Sequence, residues 1–272
     1  MDYALVTFKI YDNLLSKRVK LIVEDVCGLL RPLSFPDDES GFRDDEEPDS
    51  GLRSEEEDIL VGTKLFELYL AMQQFYQLGG ELSEEGTDFM NSSRCSDSGA
   101  ESTNSSSESV SSLENVHNYH KWFTKAVAKW LDIALFKAMK RILRAVHLDK
   151  LDPVDDLVRH TTSAVDIRTV FGQIRTFWKQ LKWPDPETGF VFISRILDDV
   201  CRAAIFYAER MKEKVNRLRN VGTMASVIEL DSDVTQDGQL FFSREQCLAI
   251  NNIDHVLQSI QPLVSELGMS DV

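Results

Sequence analysis

The sequence predicts an all-α protein of long amphipathic helices that stack into bundles and carry two disordered inserts. Two observations point to the helices: apolar residues recur at three- and four-residue steps over long stretches, and almost nothing alternates with the two-residue period of a strand. A third points to the inserts. Two segments, residues 32–58 and 81–116, are so rich in acidic residues or serine that they cannot bury enough apolar surface to offset the entropy of ordering.

Residues 1–31 form the first helix, with Leu5, Phe8, Tyr11, Leu15, Val19, Ile22 and Val26 on its expected inner side. Residues 32–58 follow as an acidic insert, punctuated by Pro36, Gly41, Pro48 and Gly51. Residues 59–80 return to a helical period. Phe66, Tyr69, Met72, Phe75 and Tyr76 crowd one broad face, and Gly79-Gly80 is expected to end the helix. These aromatic residues span more of the circumference than one neighbouring helix covers, and surplus apolar surface commonly marks a partner site. The second insert, 81–116, interleaves serine with acid, as in Ser105–Ser112, which suits a kinase substrate or a plain solvated loop.

Residues 117–268 are expected to form a helical bundle. Its first helix places Phe123, Val127, Trp130, Leu131, Leu135, Ile142 and Val146 on one face, with Lys125, Lys129, Lys137, Lys140, Arg141 and Arg144 largely between them. After a polar linker, Ser163-Ala-Val-Asp166 reads as a capping box, in which each side chain satisfies a backbone N–H that a helix start leaves orphaned. That second helix, with Val165, Val170, Phe171, Ile174, Phe177, Trp178 and Leu181 inward, must stop at Trp183-Pro184. Asp185-Pro186-Glu187 restarts the chain with a cap, a first-turn proline and an acid at the positive helix end. A third helix to about Arg217 is expected to bury Phe190, Ile193, Leu197, Val200, Cys201, Ala204, Ile205, Ala208, Met211 and Val215. Residues 220–242 read as an ordered loop at best. The last helix, Arg244–Leu267, points Cys247, Ile250, Ile253, Leu257, Ile260 and Val264 inward, bends at Pro262 and is capped by Gly268.

Of the 272 residues, 43% are hydrophobic, enough for a real core. The net charge of −15 divides unevenly: His117–Val221 holds 20 basic and 12 acidic residues, the rest 10 basic and 33 acidic. So much acid beside a basic body argues against a nucleic-acid partner, while an acidic membrane surface or an acidic partner helix stays open beside a merely solvated helix face. Cys27, Cys95, Cys201 and Cys247 are widely spaced and suit reduced thiols, two of them on apolar helix faces. With no apolar run long enough to span a bilayer and no leader-like start, the chain is expected to be cytoplasmic.

Little in the chain suggests catalysis. Asp233, Thr235, Asp237 and Gly238 resemble the first half of a calcium loop, but Arg244 stands where the bidentate glutamate belongs, so a metal site is rejected. His117 and His120, three apart, lack a third ligand. The pairs Asp155-Asp156 and Asp198-Asp199 read as helix-start or solvated acids. No phosphate-binding glycine loop or nucleophile elbow is present, so no enzyme, cofactor or small-molecule substrate is expected.

Trp122-Phe123, Val127, Trp130-Leu-Asp132, Ser163-Ala-Val-Asp166, Gln173-Ile174, Phe177-Trp178, Leu181 and Pro184-Asp-Pro186 recur in an order and spacing that resembles the first Munc-homology region of the unc-13 (Munc-13) family. The likeness extends more weakly to Ile59–Leu78 and to the helix of Asn251-Asn252. Leu131–Phe136 suggests the non-neuronal branch. The resemblance implies a MUN domain, a rod of stacked bundles that acts in vesicle priming by helping syntaxin leave its closed form so that SNARE helices assemble. It implies a site too: an Asn-x-x-Phe pair acts on syntaxin from the helix matching Ile59–Leu78, and Thr63 and Phe66 fall on those positions, with Tyr69 a turn further on. Thr63 departs from the family's asparagine. The second Munc-homology region and the flanking calcium- and lipid-binding modules are absent, so a fragment or short isoform of something longer is expected. The sequence leaves two readings: a priming module directed at SNAREs, peripheral at a vesicle or plasma membrane, or a helical scaffold whose acidic and Ser-rich inserts bind partners, with calcium regulation through Asp233–Gly238.

Overall fold

The computed structural model describes residues 3–31, 33, 55–92, 118–155, 157–225 and 242–268. Among them the regular elements are all helical: α1 (Tyr3–Leu29), α2 (Glu55–Ser92), a 3-10 turn (Tyr119–Phe123), α3 (Thr124–Leu148), α4 (Thr162–Leu181), α5 (Pro186–Ala225), α6 (Arg244–Ile260) and the short α7 (Leu263–Glu266). The all-α class therefore stands. The helices divide into two compact units, one built from α1, α2, the 3-10 turn and α3 as far as Ile133, the other from Ala134 onward.

In the first unit α1 lies on α2. Its buried stripe is Phe8, Asp12, Val19, Val23 and Cys27. The face drawn from the sequence is turned: Tyr11 and Ile22 are 55% and 48% exposed. The cause is a carboxylate that goes inside, since the Tyr76 hydroxyl donates to Asp12 Oδ1 at 2.8 Å and the pair satisfies itself within the core. Phe8 stacks on Phe75 at 4.8 Å between ring centroids. Beside it, α2 passes through Gly79-Gly80 without ending. A Cβ at Gly79 would sit 2.1 Å from Phe8 Cζ, so this glycine is where the ring packs onto the helix backbone and not a terminator.

The helix also starts before Ile59. Glu55, Glu56, Glu57 and Asp58 form its first turn, where acids meet the positive end of the helix dipole, and buried Asp58 pairs with Arg31 at 3.4 Å. Thus α2 reaches into both segments read as disordered inserts. Their remainders, 34–54 and 93–117, lie outside the described residues.

In the second unit α6 packs against both α4 and α5. A buried polar cluster fixes this arrangement. Asn252 of α6, wholly buried, accepts from the Thr161 backbone N–H at 2.7 Å and donates to the Thr161 hydroxyl at 2.8 Å. Thr161 in turn donates to Asp149, whose other oxygen accepts from Leu151 N–H at 2.8 Å. Ser163 is not the cap expected from the sequence. The helix starts at Thr162 with Thr161 as N-cap, the Ser163 hydroxyl is 2.8 Å from the Tyr207 hydroxyl of α5, and Asp166 pairs with Arg141 at 3.5 Å. A buried partner on the next helix outcompetes the local backbone for the serine. The motif it was taken for occurs at α6, where Ser243 and Gln246 cap each other's backbone N–H groups.

Other boundaries follow the local chemistry. Lys182, in the left-handed conformation at φ 42°, closes α4, and the Asp185 carboxylate accepts from Thr188 N–H at 3.2 Å to open α5. Pro262 interrupts the last helix between α6 and α7, and Gly268 at φ +95° ends it. Lys214 of α5 caps the end of α3, donating to the carbonyls of Val146 at 2.6 Å, His147 at 3.2 Å and Asp149; burial lowers its pKa while Asp149 opposes the shift.

Two inner faces differ from those drawn from the sequence. On α5 the buried row is Phe192, Ile196, Val200, Ala203, Tyr207 and Met211, whereas Phe190 and Ile205 are 56% and 59% exposed. On α6 it is Leu248, Ala249, Asn252 and Val256, and Ile250 and Leu257 face outward. Val165 of α4 is exposed as well. Cys201 and Cys247, expected inside, are exposed, and among the described residues Cys27 is the buried thiol. α5 continues past Arg217 to Ala225; residues 226–241 lie outside the described residues.

Two substitutions test this packing. Gly79→Val forces the Phe8 ring from its stack and is expected to destabilise by about 1–3 kcal/mol, read by chemical denaturation. Asn252→Ala leaves the Thr161 N–H buried and unsatisfied, for an expected loss of about 2–3 kcal/mol in the same measurement, while Gln258→Ala on the exposed side of α6 changes little.

Candidate functional site

Thr63, Phe66 and Tyr69, the positions singled out by the sequence, follow one another around α2, and the first unit treats each differently. Thr63 is exposed, and its hydroxyl donates back to the Ile59 carbonyl at 2.9 Å. Phe66 is half-buried, edge-on to Trp130 of α3 with 5.1 Å between centroids. Tyr69 is 0% exposed, wedged against Tyr119, Phe123 and Trp130 at 6.0, 5.2 and 6.0 Å. Burial, reinforced by the neighbouring Tyr119, pushes its hydroxyl pKa well above the ordinary value, so it stays neutral. The three therefore grade from solvent to core: Thr63 is exposed, Phe66 half-buried and Tyr69 buried beneath them.

What holds this face in place is a contact that apolar spacing does not reveal. The Trp130 indole N–H donates to the Gly62 carbonyl at 2.9 Å, a carbonyl already inside a helix. Gly62 makes room for Ile133 one turn further along α3, while Trp130 Cδ1 would lie at an ordinary 3.9 Å from a Cβ there. A Cβ there would meet Ile133 Cδ1 at 2.5 Å. Gly62 immediately precedes Thr63, so the tryptophan is anchored to the backbone of the site and also packs on its aromatic residue. Further along, Tyr76 stacks on Tyr119 at 4.7 Å, with the Trp122 edge 6.3 Å away. An x-x-x-Gly preceding the Thr-x-x-Phe string is the only trace of this in the sequence.

The remaining candidates fall away from one another. His120 is buried against Tyr119 and is not surface, while His117 lies outside the described residues. So do Asp233, Thr235, Asp237 and Gly238. Asp199, read as solvated, is buried between Arg195 at 3.7 Å and Arg202 at 3.4 Å. Among the described residues no group of three or more His, Cys, Asp or Glu side chains is placed to hold a metal ion, and no helix is long and apolar enough to cross a membrane.

Comparison with known proteins bears on the whole chain. The MUN domain family matches residues 104–271. The protein unc-13 homolog 4B of Drosophila melanogaster is 31% identical over all 272 residues, which correspond to 19% of that protein. The unc-13 homolog D of Rattus norvegicus is 30% identical over 76% of this chain and 15% of its own length, and BAI1-associated protein 3 of Mus musculus is 28% identical over 56% of this chain and 12% of its own. These matches fit the non-neuronal branch. The chain thus spans about a fifth or less of the relatives it matches. No solved structure matches. With the family match covering more than half of its residues, the chain belongs to the unc-13 family and carries a MUN domain.

Proposed function

We propose that this chain is a non-enzymatic vesicle-priming module that promotes SNARE assembly by acting on syntaxin in regulated exocytosis, peripheral to a membrane on its cytoplasmic side. The observation that carries the proposal is the half-buried, still partly accessible Phe66 beside exposed Thr63, on a helix included in the likeness to unc-13 homolog 4B that runs through all 272 residues of this chain. A helix from a partner that lies across α2 gains apolar contact from Phe66 and a hydrogen-bond partner from Thr63. The rigid support of Trp130 and Tyr69 means that little ordering cost falls on this side of the contact. An acceleration of assembly then follows if the face binds the open form of syntaxin more tightly than the closed form, because only differential affinity shifts a population. The basic residues of α3, among them Lys125 and Lys129, suit acidic headgroups at the membrane where this takes place.

Phe66→Ala is expected to slow assembly from closed syntaxin several-fold in a fluorescence assay, with a stability loss of only about 1–2 kcal/mol because the ring is half open. Thr63→Asn, which restores the family's polar residue, is expected to speed the same reaction. Assembly at the unaltered rate in both variants would remove this face from the mechanism.

Tyr69→Ala is expected to cost about 3–5 kcal/mol, seen as a lowered melting temperature by circular dichroism. A stable Tyr69→Ala variant with slowed assembly would instead make Tyr69 a contact residue.

A further inference from the structure

Between α4 and α6 the second unit holds a cavity of about 340 Å³ that its established family gives no role. Arg168 and Arg175, two helical turns apart on α4, line one wall; His255, Gln258 and Ser259 of α6 line the other. Arg175 is engaged, since its Nη1 donates to both carboxylate oxygens of Glu266 at 2.8 Å. Arg168 is different. It is exposed, forms no ion pair among the described residues, and the groups facing it are two imidazoles. These are His255 and, from the loop before α4, His160, whose rings stack with centroids 3.7 Å apart and planes 19° apart.

The charged groups around this corner are two arginines and three carboxylates, of which Glu266 is held by Arg175. Besides Glu266, the carboxylates near it are Asp155 beside His160 and Asp254 beside His255. Asp155 already accepts from the backbone N–H groups of Leu157 and Val158 at 2.8 Å each, and Asp254 from Gln258 at 2.7 Å. Burial and the adjacent Arg168 guanidinium hold both imidazoles below their ordinary pKa, with the stacked partner adding to the effect on His255. Arg168 itself has no carboxylate at ion-pair distance among the described residues, and its guanidinium lines the open cavity. Between the two arginines, moreover, α4 carries Gly172, where an added Cβ would meet nothing within 4 Å, so the wall is open at its middle.

We propose that this cavity is a binding site for a phosphate monoester borne on a small polyol, with Arg168 and His255 holding the phosphate, His160 stacked behind His255, and Ser259 and Gln258 taking polyol hydroxyls. A guanidinium matches two phosphate oxygens in one plane, and imidazoles become donors as the anion draws protons to them. The volume lies at the small-ligand end of pocket sizes and exceeds what a lone phosphate fills. Linkage fixes the sign of the pH response. The anion favours the charged imidazoles, so it raises both pKa values, and affinity grows as pH falls from about 8 to about 6.

The test uses the full 272-residue chain, titrated by calorimetry with inorganic phosphate and with inositol trisphosphate, and by cosedimentation with phosphatidylcholine vesicles with or without phosphoinositide. Saturable binding of the trisphosphate, tighter than inorganic phosphate and stronger at about pH 6, is expected. Arg168→Gln is expected to weaken it by about tenfold or more, and His255→Gln to flatten its pH dependence. Gly172→Leu fills the open wall and is expected to abolish binding without lowering the melting temperature, which separates loss of the site from loss of the fold. Vesicle binding that the soluble trisphosphate displaces identifies a lipid headgroup as the source, and soluble binding alone identifies a free ligand. Saturation by none of the probes, or equal binding by Arg168→Gln and Gly172→Leu, overturns the proposal.

Discussion

Asn252 is one buried amide, yet most of the second unit's arrangement passes through it. Its oxygen and nitrogen both close on Thr161, the residue at which the loop after α3 becomes α4. Because Thr161 is held from α6, its hydroxyl is free to bind Asp149 and its backbone to begin a helix without a side-chain cap. Ser163, two residues on, then meets Tyr207 of α5. Four segments are thereby fixed by groups with no solvent to fall back on. In a low-dielectric interior such bonds gain strength only when every member is satisfied, which makes the cluster a specifier of register as much as a source of stability.

The first unit solves the same problem by close approach instead of polar exchange. Gly62 and Gly79 each bring an aromatic residue, or the chain bearing one, against the backbone of α2. Aromatic residues at Phe66, Tyr69, Phe75 and Tyr76 then pack at edges and stacked faces around Trp130, Tyr119 and Phe8. The surplus of aromatic residues on α2 is mostly explained by having two packing partners, α1 and the segment from Tyr119 to Ile133. Phe66 is half-buried among them, where Tyr69 and Tyr76 are fully buried.

How far the sequence disclosed this depends on what each residue competes for. Apolar spacing located the helices, and Pro184, Pro262 and Gly268 marked ends where the backbone itself decides. The inward faces of α1, α5 and α6 were turned because Asp12, Asp199 and Asn252 lie inside, and a spacing argument sends polar residues outward by default. Gly79 and Ser163 were misassigned for a related reason: each has a strong local meaning, overridden here by a contact distant in sequence. Phe66 was legible as an aromatic residue on a crowded face. Its half-burial was not, since that depends on Trp130 reaching across to the Gly62 carbonyl.

That tryptophan gives the Phe66 face an optical property. Trp130 lies at 5.1 Å from the ring a partner would cover, and its N–H is fixed to a single carbonyl, so its indole dipole has a defined orientation next to the contact. Indole emission shifts with the polarity and mobility of its surroundings. Trp178 and Trp183 belong to the second unit, and Trp122 sits farther along α2, beside Tyr76. A chain in which Trp122, Trp178 and Trp183 are replaced by phenylalanine therefore carries an intrinsic fluorophore under Phe66, and occupancy of this face becomes visible without attaching a dye.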